Sequence, residues 1–356
     1  MATIKEQTEK TEQLKTSLDN KVDSIGSIIN AKIKEKPTTL TQVEDSLKRK
    51  MLGIGDTVTE LQIEDIGYPT DGNGVFAGHT SSVKALTVDN EYIYSGGSDN
   101  TVRKIRKSDM TEIGKFTGHT NFVNALASDD TYLYSGGSDN TVRKTRKSDM
   151  IEVDRFTGHT NSVYALISDN EYIYSSSYDK TVIKIRKSDM TEVGKFAGHA
   201  GAVRALTLDS EYIYSGSDDR TVRKIRKSDM VEIGKFTGHI GNVCALAIDN
   251  EYIYSGGEDN TVIKIRKYDM TEAGKFAGHT GPIYALVIDD EYIYSGSDDR
   301  TVRKIRKSDM TFMDNFLGHS STVYALTSDN EFIYSGSEDK TVRKWAKYRQ
   351  YKIISI

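Results

Sequence analysis

From Val83 onward the apolar positions come in short, β-prone runs broken at regular intervals by turn residues. Val83 to Val88 is mostly apolar and closes on Asp89-Asn90. Tyr92-Ile93-Tyr94-Ser95 follows and ends at Gly96-Gly97, with Ser98-Asp99-Asn100 as a tight turn. Thr101 to Lys107 is a third run, Ser108-Asp109 turns the chain again, and Thr111 to Phe116 is a fourth. Runs of this length, rich in Val, Ile, Tyr and Thr and bounded by Asp, Asn, Ser and Gly, predict four antiparallel strands. The turn aspartate is placed to accept backbone N–H groups.

The pattern recurs without insertion or loss. A Gly-His pair opens each copy, at His79, His119, His159, His199, His239, His279 and His319, and these are the seven histidines of the chain. A four-stranded unit of about 40 residues cannot bury both of its faces alone. Seven such units around an axis bury each face against a neighbour and protect most sheet edges. The expectation is an all-β, seven-bladed β-propeller over 74–356.

The segment before it follows another period. Leu14, Leu18, Val22, Ile25, Ile29 and Ile33 mark one stripe in 1–36, stepping nearer to an eleven-residue repeat than to a strict heptad. This predicts an amphipathic helix ended by Pro37. A second, short helix is expected in 37–53, with Thr41 to Glu44 as a capping box, Val43, Leu47 and Met51 on one face, and Gly53 as the stop. Residues 54–73 read as a linker. A lone helix of this kind is marginal in water, so its stripe needs a partner. Self-association into a bundle of two or three chains is the reading preferred; the underside of the propeller and a different protein are the others. Ring closure has two candidate outer strands, Tyr351 to Ile356 and Val75-Phe76, and the longer C-terminal stretch is favoured.

Charge and chemistry narrow the function. Forty-eight Lys and Arg face 52 Asp and Glu, a net charge of -4, with the signs interleaved. Nucleic acid needs uncompensated cations to displace counterions, so none is expected as a partner. The repeated cluster Arg103-Lys104-Ile105-Arg106-Lys107 is read as a solvated, charge-balanced outer strand, with a polyanion-binding belt as the alternative. No apolar run reaches the length of a membrane span, and no secretory signal core opens the chain. The single cysteine, Cys244, sits between apolar residues and reads as a small buried thiol. Histidines spread over separate blades cannot share a metal ion, and no nucleophile elbow, phosphate loop or zinc-protease motif is present. The expectation is a protein that is not an enzyme, without cofactor or metal.

The units resemble WD repeats. Gly-His opens each, Asp99, Asp139, Asp179, Asp219, Asp259, Asp299 and Asp339 fill the turn position, and Thr-Val follows two residues later in every copy. The resemblance implies a structural hydrogen-bonded network built on each His and its Asp, completed by a Ser of the second strand and a Trp of the third. The Trp position instead holds Ile105, Thr145, Ile185, Ile225, Ile265 and Ile305, and only the last copy has Trp345, followed by Ala346.

The copies differ at two places. One holds Lys84, Asn124, Tyr164, Arg204, Cys244, Tyr284 and Tyr324; the other holds Ser98, Ser138, Tyr178, Asp218, Glu258, Asp298 and Glu338. In WD-repeat propellers these zones lie near the mouth of the central channel, where partners dock. Lys84, Tyr164, Tyr178, Arg204, Asp218, Glu258, Tyr284, Asp298, Tyr324 and Glu338 are therefore the candidate ligand-binding rim; drift between duplicated units is the competing account. Tyr supplies contact area and a hydrogen bond at low entropic cost. The expected partner is a protein or a cell-surface glycan. Helices, linker and near-identical propeller units together resemble virion-associated appendage proteins of phages of Gram-positive hosts. That layout implies a virion location and contact with other virion proteins; a cytoplasmic scaffold bridging protein partners is the second reading.

Overall fold

Every copy of the unit builds a sheet of four antiparallel strands. The structure is a computed structural model that describes residues 61–65, 74–347 and 351–355; the helices expected over 1–36 and 37–53 lie outside these residues. In the first blade the strands are Val83–Val88, Tyr92–Gly97, Val102–Arg106 and Glu112–Phe116, hydrogen-bonded in that order. Polar side chains fix the turns between them. Asp89 Oδ1 accepts the N–H groups of Glu91 and Tyr92 at 3.1 and 2.8 Å. Asp109 Oδ1 accepts from Thr111 N–H and Oγ1 at 3.1 and 2.7 Å, and Met110 between them takes a left-handed φ of 55°. That conformation is costly for a side chain with a Cβ. Burial offsets it: the equivalent Met150 packs on the preceding blade, where a Cβ added to Gly114 would meet its Cγ at 3.0 Å.

The core lies between blades. Tyr134, Val142 and Phe156 of blade 2 pack with Val163, Ile173, Ile183, Ile185 and Met190 of blade 3. At the seam, Phe76, Tyr334 and Val342 pack with Val83, Ile93, Ile105 and Met110 of blade 1. Among the described residues seven four-stranded sheets close in this way. The first strands surround the axis, and the upper face carries the Gly-His loops and the turns between second and third strands.

The closing strand is Val75–Phe76, which pairs with Arg343 and Val342 of the last blade. The preference for the C-terminal stretch is thus corrected. The deciding feature is Phe76, which stands three residues before a Gly-His histidine as Phe116 does and fills the same buried slot. Tyr351–Ser355 offers no such phenylalanine. It pairs instead with Leu61–Asp65, a strand inside the stretch read as a linker, with Ile63 opposite Ile353. This two-stranded sheet belongs to a unit separate from the propeller.

The reading of the basic cluster, which runs from the upper face to the lower, is also corrected. It is the third strand and the turn after it, and its cations are engaged. Arg103 is buried, with Nη1 donating to Glu112 at 2.6 Å and Nη2 to Asp99 at 3.4 Å. Lys104 Nζ donates to the Lys147 carbonyl of the next blade at 2.9 Å and lies 4.1 Å from the Tyr92 ring centroid. Lys107 Nζ reaches Asp329 of the preceding blade at 2.8 Å, and Lys147 reaches Asp89 at 2.6 Å. Lys187–Asp129, Lys227–Asp169, Lys267–Asp209 and Lys307–Asp249 repeat the contact at 2.6–3.0 Å. Each of these aspartates also accepts from a tyrosine of its own blade, as Asp89 does from the Tyr94 hydroxyl at 3.0 Å. The outer member of the cluster, Arg106, is exposed and donates to Asp109 at 2.8 Å.

Candidate functional site

Seven histidine networks hold the upper face. Each imidazole is buried, with Nδ1 2.7–2.9 Å from the turn aspartate of its own blade. Nε2 lies 2.7–2.8 Å from a second-strand serine, Ser95 in blade 1 and Ser335 in blade 7. A carboxylate can only accept, so Nδ1 carries the proton and Nε2 accepts from the serine hydroxyl. Asp99 also takes the N–H groups of Thr80 and Thr101 and the Thr101 hydroxyl. Burial alone would raise the pKa of such an aspartate. The hydrogen bonds from histidine, threonine and backbone outweigh it and hold all seven far below the usual carboxylate range. Imidazoles so enclosed tie the Gly-His loop to the turn and to the second strand.

Only blade 7 has the indole. Trp345 Nε1 donates to Ser335 Oγ at 2.7 Å, and the ring lies against Gly318 and edge-on to His319. In the other six blades a phenylalanine takes that space. Phe76 folds back over Gly78, where a Cβ would meet its ring at 2.3 Å, and stands edge-on to His79 at 6.2 Å. Phe116, Phe156, Phe196, Phe236 and Phe276 do the same against their histidines. Phe316 is displaced onto Trp345. Phenylalanine thus supplies the packing of the absent indole without its N–H.

The two varied zones come together. In each first strand the pairing slips by one residue at the second position, as between Val83 and Ala85, so Lys84 and its counterparts occupy a bulge. A bulge re-aims its side chain, and no local signal in the sequence marks it. In blades 2, 3 and 4 the bulge residue meets the second varied position of its own blade. Asn124 donates to Ser138 Oγ at 2.8 Å, Tyr164 stands edge-on to Tyr178 at 6.1 Å, and Arg204 holds Asp218 through two bonds, Nη2 at 2.9 Å.

Contacts between blades link these pairs around the channel mouth. Lys84 Nζ sits 3.1 Å from the Tyr324 ring centroid, Tyr324 lies 5.3 Å from Tyr284, and the Arg204 guanidinium is 5.1 Å from Tyr164. Burial lowers the Lys84 pKa to about 8 against the pull of Glu338, and raises Tyr284 to about 12. Cys244 is buried between Arg204 and Tyr284 in this circle, and burial raises its thiol to about 12. Burial works against the Arg204 charge, and the bonds to Asp218 more than restore it.

The carboxylates are less available than the sequence suggests. Asp218 is taken by Arg204, Asp298 by the Thr322 hydroxyl of the next blade, and Glu338 by Ser321 at 2.6 Å. Glu258 carries no side-chain bond among the described residues. Thr322 and Ser321 were not distinguished in the sequence because their partners are fixed only by the approach of neighbouring turns. No group of His, Cys, Asp and Glu among the described residues is arranged to hold a metal ion.

This geometry defines a repeat propeller whose histidines are structural and whose varied residues ring one channel mouth. The chain belongs to the WD domain, G-beta repeat family, whose profile matches residues 73–104, 110–144, 151–183, 190–224, 230–263, 270–304 and 310–346. Such propellers generally bind protein partners. No curated protein sequence matches the chain. Among solved structures, the computationally designed Ika8 protein is similar over 76% of this chain and 85% of its own, at 27% identity and a TM-score of 0.64. The WD40 β-propeller domain of Doa1 is similar over 79% of this chain and 98% of its own, at 22% identity and a TM-score of 0.72, a likeness of fold alone.

Proposed function

We propose that this protein is a non-catalytic binding platform whose partner docks on the upper face around the channel mouth. One observation carries the reading. The lower-face ion pairs, the histidine networks and the inter-blade core repeat from blade to blade, whereas two positions that differ between copies lie close together at the channel mouth. Rings at Tyr164, Tyr178, Tyr284 and Tyr324 give that mouth contact area with little side-chain entropy to lose. Lys84, Arg204 and Glu258 add charge of both signs. A non-repeating cluster of acid, base and nucleophile, which catalysis requires, is not what these residues form.

Residues 1–36 would gather several such propellers, so that weak single contacts gain avidity, as on a virion appendage. Photo-crosslinkers placed at Glu258 on the mouth and at Ile233 on the outer strand test the docking face. Adducts from position 258 that excess unlabelled protein competes away support it; adducts from 233 alone move the partner to the outer surface. Light scattering on the full chain tests the gathering, and a monomer at all concentrations removes it.

A further inference from the structure

Two neighbouring blades depart from the rest in one chemical direction. Phe122 stands where the other copies carry Ser82, Ser162, Ala202, Asn242, Pro282 and Thr322, and it is 46% exposed. Tyr178 stands where blades 1 and 2 carry Ser98 and Ser138, and it is 49% exposed. Aromatic rings are enriched where proteins make contacts, and these two offer exposed faces on adjoining blades. Contacts join the two in a continuous path. Ser138 N–H donates to the Phe122 carbonyl at 2.8 Å, Asn124 bridges Ser138 to the Val163 carbonyl across the blade junction, and Tyr164 meets Tyr178.

Two amides flank this arc in a fixed pose. Asn121 Oδ1 accepts the N–H of Phe122 at 2.9 Å, and Asn161 Oδ1 accepts that of Ser162 at 2.8 Å. With each oxygen held, the NH2 groups are exposed donors without a partner among the described residues. Blades 4, 5 and 6 have Gly201, Gly241 and Gly281 at this position and can offer nothing equivalent. The turn aspartates Asp139 and Asp179 are engaged by His119 and His159. Beyond the arc stand Lys180 and the closed Arg204–Asp218 pair.

We propose that this arc, on blades 2 and 3, binds an uncharged carbohydrate built of pyranose rings. A pyranose has a flat face of C–H bonds, which suits an aromatic ring, and a rim of hydroxyls, which accept from amides and donate to serine and carbonyl oxygens. An acidic peptide or a nucleic acid needs several unpaired cations, and among the described residues the arc is flanked by Lys180 alone. A basic peptide needs carboxylates, and here they are occupied.

The inference rests on the upper face being the docking face. Saturation-transfer NMR with the full chain and a pool of neutral hexaoses of glucose, galactose, mannose and N-acetylglucosamine tests it. Transfer to ring C–H protons is expected, little changed by salt, and weakened about tenfold or more by Phe122→Ser with Tyr178→Ser. Those replacements are the residues blade 1 already carries there, so folding is kept. Tyr268→Ser, an exposed ring in the turn after a third strand where other units carry serine, should leave the transfer unchanged. No transfer from any hexaose, or transfer indifferent to the arc substitutions, overturns the proposal, as does an arc that takes a peptide pool instead. A partner that still docks on the upper face of the doubly substituted protein keeps the reading of the face and removes that of the arc.

Discussion

Phe76 pairs with Val342 across the seam of the ring, in the same register in which Phe116 pairs with Val102 and Phe156 with Val142. Two residues of strand therefore do for the last blade what five or six do for the others. Phe76→Ala removes the buried ring that fills the seam and should cost about 3–5 kcal/mol of stability. Removing 351–356 takes away no strand of the seven blades and should cost the propeller less. Calorimetric melting of both variants checks this; equal losses would mean that the C-terminal strand also supports the seam.

Thr145 occupies the slot that isoleucine fills in five blades and tryptophan in one. Its hydroxyl is buried without a partner. Thr145→Ile replaces an unpaired polar group by apolar surface of the kind the other blades bury, and should stabilise by about 1–3 kcal/mol. A shift of the urea midpoint to higher concentration, with unchanged slope, is the expected result.

Acid should destabilise the propeller in two ranges. Burial depresses His279 below its ordinary value in spite of Asp299. The unfolded chain then binds that proton more readily, so stability is full above about pH 6.5 and declines below it. The seven turn aspartates are depressed too, burial being outweighed by their hydrogen bonds. Their contribution is full above the unfolded value of about 3.9 and is lost as pH falls further. Melting temperature should be flat near neutrality, fall gently in weak acid and steeply below about pH 4. A midpoint that rose on acidification would contradict the assignment.

Heparin should hold the protein weakly. The cluster that suggested a polyanion belt has Arg103 bound to Asp99 and Glu112, and Lys107 bound to Asp329. Elution at low salt is expected. Retention to high salt would show that these pairs open in solution.

Much of the fold was legible because its determinants are local. Each Gly-His, each turn aspartate and each run of β-prone residues recurs within one unit, and in the first blade strand ends lie within two residues of those expected, the second strand running through Gly96-Gly97. What escaped the sequence depends on units meeting. Lys187 and Asp129 are 58 positions apart and look like ordinary surface charges until two blades adjoin. The Phe-for-Trp exchange is visible only when Phe76 is seen to fold back over its own Gly-His. At the mouth, the varied positions were legible, but the bulge at Lys84 and the capture of Asp298 by Thr322 were not, since backbone slippage and a neighbour's hydroxyl leave no pattern in one unit.

The pairing at the seam also sets an order of events during synthesis. Val75–Phe76 leaves the ribosome well before Val342–Ala346 exists, and at ordinary translation speed the interval is on the order of tens of seconds. Throughout that wait the nascent chain keeps Val75–Phe76 without its sheet and an uncovered blade face at each end of a growing arc, and the seventh unit completes them. Stalling before the seventh unit therefore releases a product with sticky margins, and a chaperone that shields them would matter until that unit is made.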